Sequence, residues 1–329
     1  MTKANTMKAV RARAAGGPEV LEYVDVERPE PGEGEVLVKL DLIGVNYADI
    51  YRRQGSHHRE TYPRILGQEG VGSVAALGVK ATRMRKGDVV AFRGAKAGAY
   101  SEYAVVPESN LYKVPSALPA EAAVALQVQG LTAHYLANDV YRLKAGDSCL
   151  VHAGAGGVGH ILIQLAKAKG ARVLTTVGSA AKAERASRHG ADEVILYRDE
   201  NFAARVLELT DGKGVNVVYD GVGAATIPDS IAATAFLGMV ATFGGSSGQA
   251  PPVDTTLLTP NCVCLTRVGL QRFIPDVDAL IRRCDDLATM VESGKLRLDI
   301  AMPRPLSQAA DVQRALESRS TTGKLIMQP

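Results

Sequence analysis

The alternation of apolar and polar positions changes character partway along this chain. Before Pro119, short runs with a period of two recur at residues 7–13, 36–45, 70–77, 88–92 and 100–106, separated by punctuation such as Pro29-Glu30-Pro31-Gly32. A period of two sends successive side chains to opposite faces, so this region predicts a mostly antiparallel β domain. After Pro119 the period lengthens. Strand-like stretches near 149–152, 172–177, 193–197, 215–219 and 239–243 alternate with helical runs, the spacing of parallel βαβ units. The tail holds an amphipathic helix near 276–293, a strand-like segment, a second helix near 306–318 and a last strand at 324–327. Periodicity alone does not assign that tail to either domain.

The most specific chemistry sits where the second pattern begins. The strand Ser148-Cys149-Leu150-Val151-His152 runs into Ala153-Gly154-Ala155-Gly156-Gly157-Val158-Gly159, and a helical run follows over 161–169. Read as Ala153-x-x-Gly156-x-x-Gly159, the loop supplies a tight turn, a bare backbone for a pyrophosphate, and a small residue where helix meets strand. Backbone N–H groups at the new helix's start then face the phosphates. Glycines alone also fit a flexible loop, but a strand before and a helix after point to a dinucleotide site. Such sites that prefer NAD place an acid on the ribose hydroxyls about twenty residues later. Here the strand 172–177 ends in Gly178-Ser179-Ala180-Ala181-Lys182, uncharged and then cationic, which suits a 2′-phosphate and favours NADPH.

Bulk properties narrow the classes without adding chemistry. The 329 residues are long for one core, so two domains are expected. Apolar residues at 46% and charged residues at 22% are ordinary for a globular chain. A net charge of +3 with no basic block gives no reason to expect nucleic acid or a membrane surface as partner. The first residues lack an apolar signal region, and a cytoplasmic protein is expected. Cys149, Cys262, Cys264 and Cys284 lack metal-ligand spacing and are read as buried thiols.

Several motifs in one order resemble the quinone oxidoreductase (zeta-crystallin-like) family of the zinc-free medium-chain dehydrogenases/reductases. They are Gly44-Val45-Asn46-Tyr47-Ala48-Asp49, Gly67-Gln68-Glu69-Gly70-Val71-Gly72, Gly130-Leu131-Thr132-Ala133, the 152–159 loop, Val218-Tyr219-Asp220-Gly221-Val222-Gly223, Phe243-Gly244-Gly245-Ser246-Ser247-Gly248 and Glu317-Ser318-Arg319. The resemblance implies an α/β protein: a GroES-like, mostly antiparallel β catalytic domain from 1–128 and 269–329, and a Rossmann domain with a doubly wound parallel sheet from 129–268. The active site would then lie between domains. Zinc-dependent relatives carry Gly-His-Glu where this chain has Gly67-Gln68-Glu69, and a cysteine where it has Asn46. Two amides are poor tetrahedral zinc ligands, so no metal is expected.

By the same resemblance Asn46, Tyr47, Tyr51 and Thr132 serve catalysis. Cofactor contacts fall to Asn46, Tyr51, Thr132, Tyr135, Gly156, Gly157, Val158, Gly159, Gly178, Ser179, Lys182, Tyr197, Phe243, Gly244, Gly245, Ser246, Leu270 and Arg319. Lys182 and Tyr197 would meet the 2′-phosphate, and Phe243 to Ser247 would line the nicotinamide. Blander readings stand beside these. Asn46 and Asp49 suit helix caps over 48–53, Tyr47 and Tyr51 share one face at i, i+4, and Gln68, Glu69 and His152 suit buried structural roles.

With no metal and no Ser-Tyr-Lys arrangement, the site suits an acceptor that is already electrophilic. NADPH-dependent reduction of a quinone leads, with reduction of an enone or alkenal double bond as the alternative. A second alternative is a nucleotide- or RNA-binding protein with incidental catalysis, as in some zeta-crystallins. His57-His58, where the family often has an aromatic with prolines, leaves the substrate range open. Family members form homodimers or homotetramers through the Rossmann edge strand, here 262–266.

Overall fold

The computed structural model describes residues 5–56 and 61–329. His57 and His58 lie outside the described residues. The chain forms two units, 1–128 with 276–329, and 129–275.

The first unit opens with β1 (Thr6–Ala12), β2 (Leu21–Glu27) and β3 (Glu35–Val45), followed by helix α1 (Tyr47–Arg53). Strands β4 (Arg64–Ile65), β5 (Glu69–Leu77), β6 (Val89–Arg93), β7 (Tyr103–Pro107) and β8 (Leu111–Lys113) complete its N-terminal part, which ends in α2 (Ala120–Ala125). One sheet has the order β2-β1-β4. The larger sheet is centred on β3, which pairs antiparallel with both β5 and β7. Val36, Val38 and Leu40 of β3, spaced by two, and Ile43, beyond the register shift between Leu40 and Leu42, are buried with Val74, Val90, Phe92 and Val106 in one apolar cluster.

The second unit begins with α3 (Leu131–Tyr135) and alternates regularly. Strand β9 (Ser148–His152) leads to α4 (Gly159–Ala168), β10 (Arg172–Val177) to α5 (Ala180–Arg188), β11 (Glu193–Leu196) to α6 (Phe202–Leu209), and β12 (Val215–Asp220) to α7 (Ile227–Ala232). Strands β13 (Thr234–Thr242) and β14 (Cys264–Arg267) and the short helix α8 (Leu270–Phe273) close it. The sheet order is β11-β10-β9-β12-β13-β14, with every pairing parallel. From the central β9 the chain winds first one way and then, from β12, the other. Such a switch point leaves a crevice outside the carboxyl ends of the two central strands.

The last segment rejoins the first unit through α9 (Val277–Glu292), β15 (Arg304–Pro305), α10 (Ala309–Glu317) and β16 (Leu325–Gln328). Strand β16 pairs antiparallel with the end of β3, Leu325 opposite Val45 and Met327 opposite Ile43. The architecture is therefore α/β, with an antiparallel-rich GroES-like unit and a Rossmann-type unit built on a parallel sheet.

Four details differ from the sequence reading. Residues 269–275 sit with the second unit, where the Phe273 ring stacks on Tyr135 at 4.4 Å. The stretch 100–106 is not one strand: Tyr100 is buried at a bend, Ser101 makes an isolated bridge to Ala9, and the strand starts at Tyr103. Strand β2 went unread, because its acids at Glu22, Asp25 and Glu27 break the alternation at Tyr23-Val24, none of its residues is fully buried, and it pairs only with β1. Of the four thiols only Cys149 and Cys284 are buried, each pushed up to about 12 by desolvation, whereas Cys262 and Cys264 are exposed at the sheet's edge.

Candidate functional site

In the second unit the glycine loop has the form a pyrophosphate needs. Ala153 turns the chain with φ of 56°, and its carbonyl accepts the Gly156 N–H at 2.8 Å. A Cβ on Gly159 would lie 2.3 Å from that same carbonyl oxygen, so only glycine lets α4 start this close to the turn. A Cβ on Gly156 would meet Ala153 alone, its oxygen at 3.1 Å, with open space otherwise. The loop thus presents bare backbone outward at Gly156 while Gly159 packs inward, and Gly157 and Val158 lie between them at the mouth of α4.

The neighbouring strand ends in a cationic, acid-free setting. Beyond β10, Gly178 and Ser179 lead into α5, whose first turn contains Lys182 and no acid. A Cβ on Gly178 would lie 2.9 Å from the Tyr197 hydroxyl and 3.4 Å from Arg198 Nε. Gly178, Tyr197 and Arg198 therefore converge at one strand end, and Lys182 follows one helical turn on. Arg198 escaped the sequence reading, although its place directly after Tyr197 at the end of β11 was a usable signal.

A buried network supports the loops at the switch point. The Asp220 carboxylate accepts N–H groups of Val222 (2.8 Å) and Gly223 (2.9 Å) and hydroxyls of Thr226 (2.7 Å) and Ser230 (2.8 Å). Ser230 has one proton and gives it to Asp220, so His152 Nε2, 3.0 Å from Ser230 Oγ, is the donor of that pair. Nδ1 then accepts from Thr176 Oγ1 at 2.8 Å. Burial holds the imidazole below its ordinary pKa, against the opposing pull of Asp220. His152 is a neutral structural residue. Phe243, Gly244, Gly245 and Ser246 follow β13 and are tied to the same region: Phe243 N–H donates to the Asp220 carbonyl (2.9 Å) and Ser246 N–H to that of Gly221 (3.2 Å).

The first unit holds a second network around the β3–α1 junction. The Asn46 Nδ2 amide donates to Glu69 Oε1 at 2.6 Å, and its Oδ1 accepts from Lys324 Nζ at 3.2 Å. Lys324 and Glu69 form a fully buried ion pair. Asp49 accepts the Asn46 backbone N–H (2.9 Å) and the Tyr100 hydroxyl (3.2 Å), and Tyr100 in turn accepts from Gln313 (3.3 Å). Burial first, then the Glu69 charge, raise the Asp49 carboxyl to about 7, against the Asn46 N–H and Lys324. The buried Arg53 guanidinium ties this network to Gln313 and Glu317, each at 2.6 Å.

Among the described residues no group of histidine, cysteine or acidic side chains is arranged to hold a metal ion. Residues 32–116 match the family model of the alcohol dehydrogenase GroES-like domain, and residues 157–285 that of the zinc-binding dehydrogenases. The quinone oxidoreductase of Pseudomonas aeruginosa is 41% identical over 323 residues, 98% of this chain and 99% of that protein. The chain belongs to the quinone oxidoreductase family of the medium-chain dehydrogenases/reductases. The crystal structure of Escherichia coli quinone oxidoreductase complexed with NADPH superposes with a TM-score of 0.95 at 36% identity, covering 98% of this chain and 100% of that one. A 2-haloacrylate reductase of a Burkholderia species is 33% identical over 95% of this chain and 96% of its own length.

Within this member of the family the remaining sequence-derived residues are distributed as follows. Asn46 caps α1, and its amide is engaged by Glu69 and Lys324 rather than standing ready as a simple donor. The Tyr47 hydroxyl donates to the Leu316 carbonyl at 2.9 Å, so it offers an acceptor a lone pair and not a proton. Tyr47 and Tyr51 are half-buried on one helix face, ring centroids 6.1 Å apart. Thr132 and Tyr135 are buried on α3, where the Tyr135 hydroxyl bonds Thr132 and burial drives it upward in pKa. Leu270 opens α8, and Arg319, with φ of 56°, is the exposed residue that ends α10. Glu69 is buried at the first position of β5, while Gln68 beside it is half-exposed, so the two do not form a buried pair. No helix among the described residues is long and apolar enough to cross a membrane.

Proposed function

We propose that this chain is an NADPH-dependent quinone reductase that works without a metal. The observation that carries the reading is the end of β10, where Tyr197 and Arg198 close on Gly178 and the first turn of α5 that follows contains Lys182 and no acid. A carboxylate there would accept ribose hydroxyls, whereas two cations and a phenol hydroxyl suit a 2′-phosphate. The bare backbone at Gly156 fits the pyrophosphate, and the nicotinamide would lie against Phe243 to Ser246. When bound, NADPH supplies the hydride. Asn46 and Tyr51 orient the acceptor oxygen, and Asp220 with His152 keeps the cofactor-facing loops in place.

The relative solved with NADPH supports the cofactor, and the quinone oxidoreductase relatives support the acceptor class. The 2-haloacrylate reductase relative supports a second reading, reduction of an activated carbon–carbon double bond by the same hydride. The edge strand β14 is the surface through which a homodimer or homotetramer would form. The deciding experiment is NADPH and NADH oxidation across a panel of quinones and activated enones, with and without prolonged chelation. Higher kcat/KM for quinones with NADPH, unchanged by chelator, supports the proposal. A preference for enones establishes the second reading, and turnover with NADH alone overturns the cofactor assignment.

A further inference from the structure

The buried lysine before β16 is not among the residues that the sequence assigned to the site, yet it is among the most enclosed side chains of the first unit. Lys324 is 0% exposed, and its ammonium is surrounded by three oxygens: Glu69 Oε1, Asn46 Oδ1 at 3.2 Å and the Val45 carbonyl at 3.4 Å. Three N–H donors thus meet three acceptors. Glu69 is equally enclosed, with Oε1 also accepting the Asn46 amide at 2.6 Å and Oε2 accepting the Val128 N–H at 2.7 Å.

The Asn46 amide is consequently gripped at both ends by opposite charges. Turning it over would set its NH2 against the ammonium and its oxygen against the carboxylate, exchanging two attractive contacts for two repulsive ones. The pair therefore does something an apolar filling would not. Replacement of a buried ion pair by apolar groups of similar volume is often neutral or stabilising, so packing and stability do not by themselves call for charges here. A fixed amide orientation does call for them.

We propose that Lys324 is a positioning residue for acceptor reduction, which, with Glu69, fixes the direction of the Asn46 side-chain amide and hence the group Asn46 presents to the acceptor oxygen. The inference rests on the reading of Asn46 as an acceptor-binding residue. Because β16 pairs with the end of β3, the lysine is delivered to Asn46 from the far end of the chain.

Lys324→Met alone would strand the Glu69 charge and risk the fold, so the test uses the double variant Lys324→Met/Glu69→Gln, in which both charges are removed together. A glutamine whose oxygen keeps the Val128 N–H turns its NH2 toward Asn46 and favours the reversed amide. The variant is expected to melt near the wild-type temperature and keep its NADPH KM within about twofold, while the quinone KM rises about tenfold, the worth of one well-directed hydrogen bond. In an Asn46→Ala background the same double replacement should add nothing to the quinone KM. A double variant with wild-type quinone KM, a failure to fold, or an additive effect in the Asn46→Ala background overturns the inference. If Asn46→Ala alone leaves quinone turnover unchanged, the reading of Asn46 itself fails, and this inference falls with it. If Asn46→Ala is impaired and the double variant is not, the positioning role alone is refuted.

Discussion

Asp49 should make this protein less stable as the solution turns from acid to neutral, the reverse of the behaviour of a salt-bridged carboxylate with a lowered pKa. Its carboxyl is raised from 3.8 to about 7 by burial and by the neighbouring Glu69 charge. Between those two values the folded chain holds a proton that the unfolded chain has released, so stability declines as pH rises and levels off above about 7. The rise corresponds to about 4 kcal/mol over the full window, of which about 2.5 kcal/mol falls between pH 5 and 8. Asp49→Asn is a close copy of the protonated form. Oδ2 accepts both N–H and hydroxyl donors, whereas Oδ1 has no hydrogen-bond partner among the described residues, so the acid's proton and the amide's NH2 both belong at Oδ1. Urea unfolding of wild type and Asp49→Asn at pH 5 and pH 8 should show the variant gaining about 2.5 kcal/mol relative to wild type across that interval. A wild-type-to-variant difference that is the same at both pH values would refute the argument, because it would mean that Asp49 is ionised throughout.

Two further outcomes concern the nucleotide. Lys182→Ala should weaken NADPH binding by one to two decades, about 1.5–3 kcal/mol for a charge-assisted contact, and leave NADH nearly unchanged in a fluorescence titration; parallel losses for both cofactors would show that Lys182 is only a helix residue. Gly156→Val should abolish binding of either dinucleotide without altering the melting temperature appreciably, because its branches would project into the open space that Gly156 leaves; retained affinity would place the phosphates elsewhere.

The strand-turn-helix of the proposed nucleotide site was legible in the sequence because its parts are local. A strand, a glycine turn and a helix follow one another within residues 148–168, and the absence of an acid after β10 can be read directly from residues 178–182. Sheet membership was legible in the same way, since the period of two over 36–45 already marks β3 as a strand with a buried face. The edge of a sheet was not. Cys262 and Cys264 look like core residues by composition, and only the order of strands shows that β14 has a neighbour on one side alone.

Long-range polar pairs were the least legible part, and Lys324 shows why. Nothing in the residues around it, Thr322-Gly323-Lys324-Leu325, distinguishes a buried lysine from an exposed one, and its carboxylate partner is 255 positions away. An ammonium is expensive to bury, so such a residue persists only where preformed acceptors wait for it. Those acceptors are set by two independent strand pairings: β5 on β3 brings Glu69 opposite Gly44, and β16 on β3 brings Leu325 opposite Val45. Both registers count from the same strand. A one-residue slip in either would turn the whole strand face about and leave one charge buried without the other. The ion pair therefore reports on register, and the Asn46 amide between its charges is oriented only when both ends of the first unit have been assembled on β3.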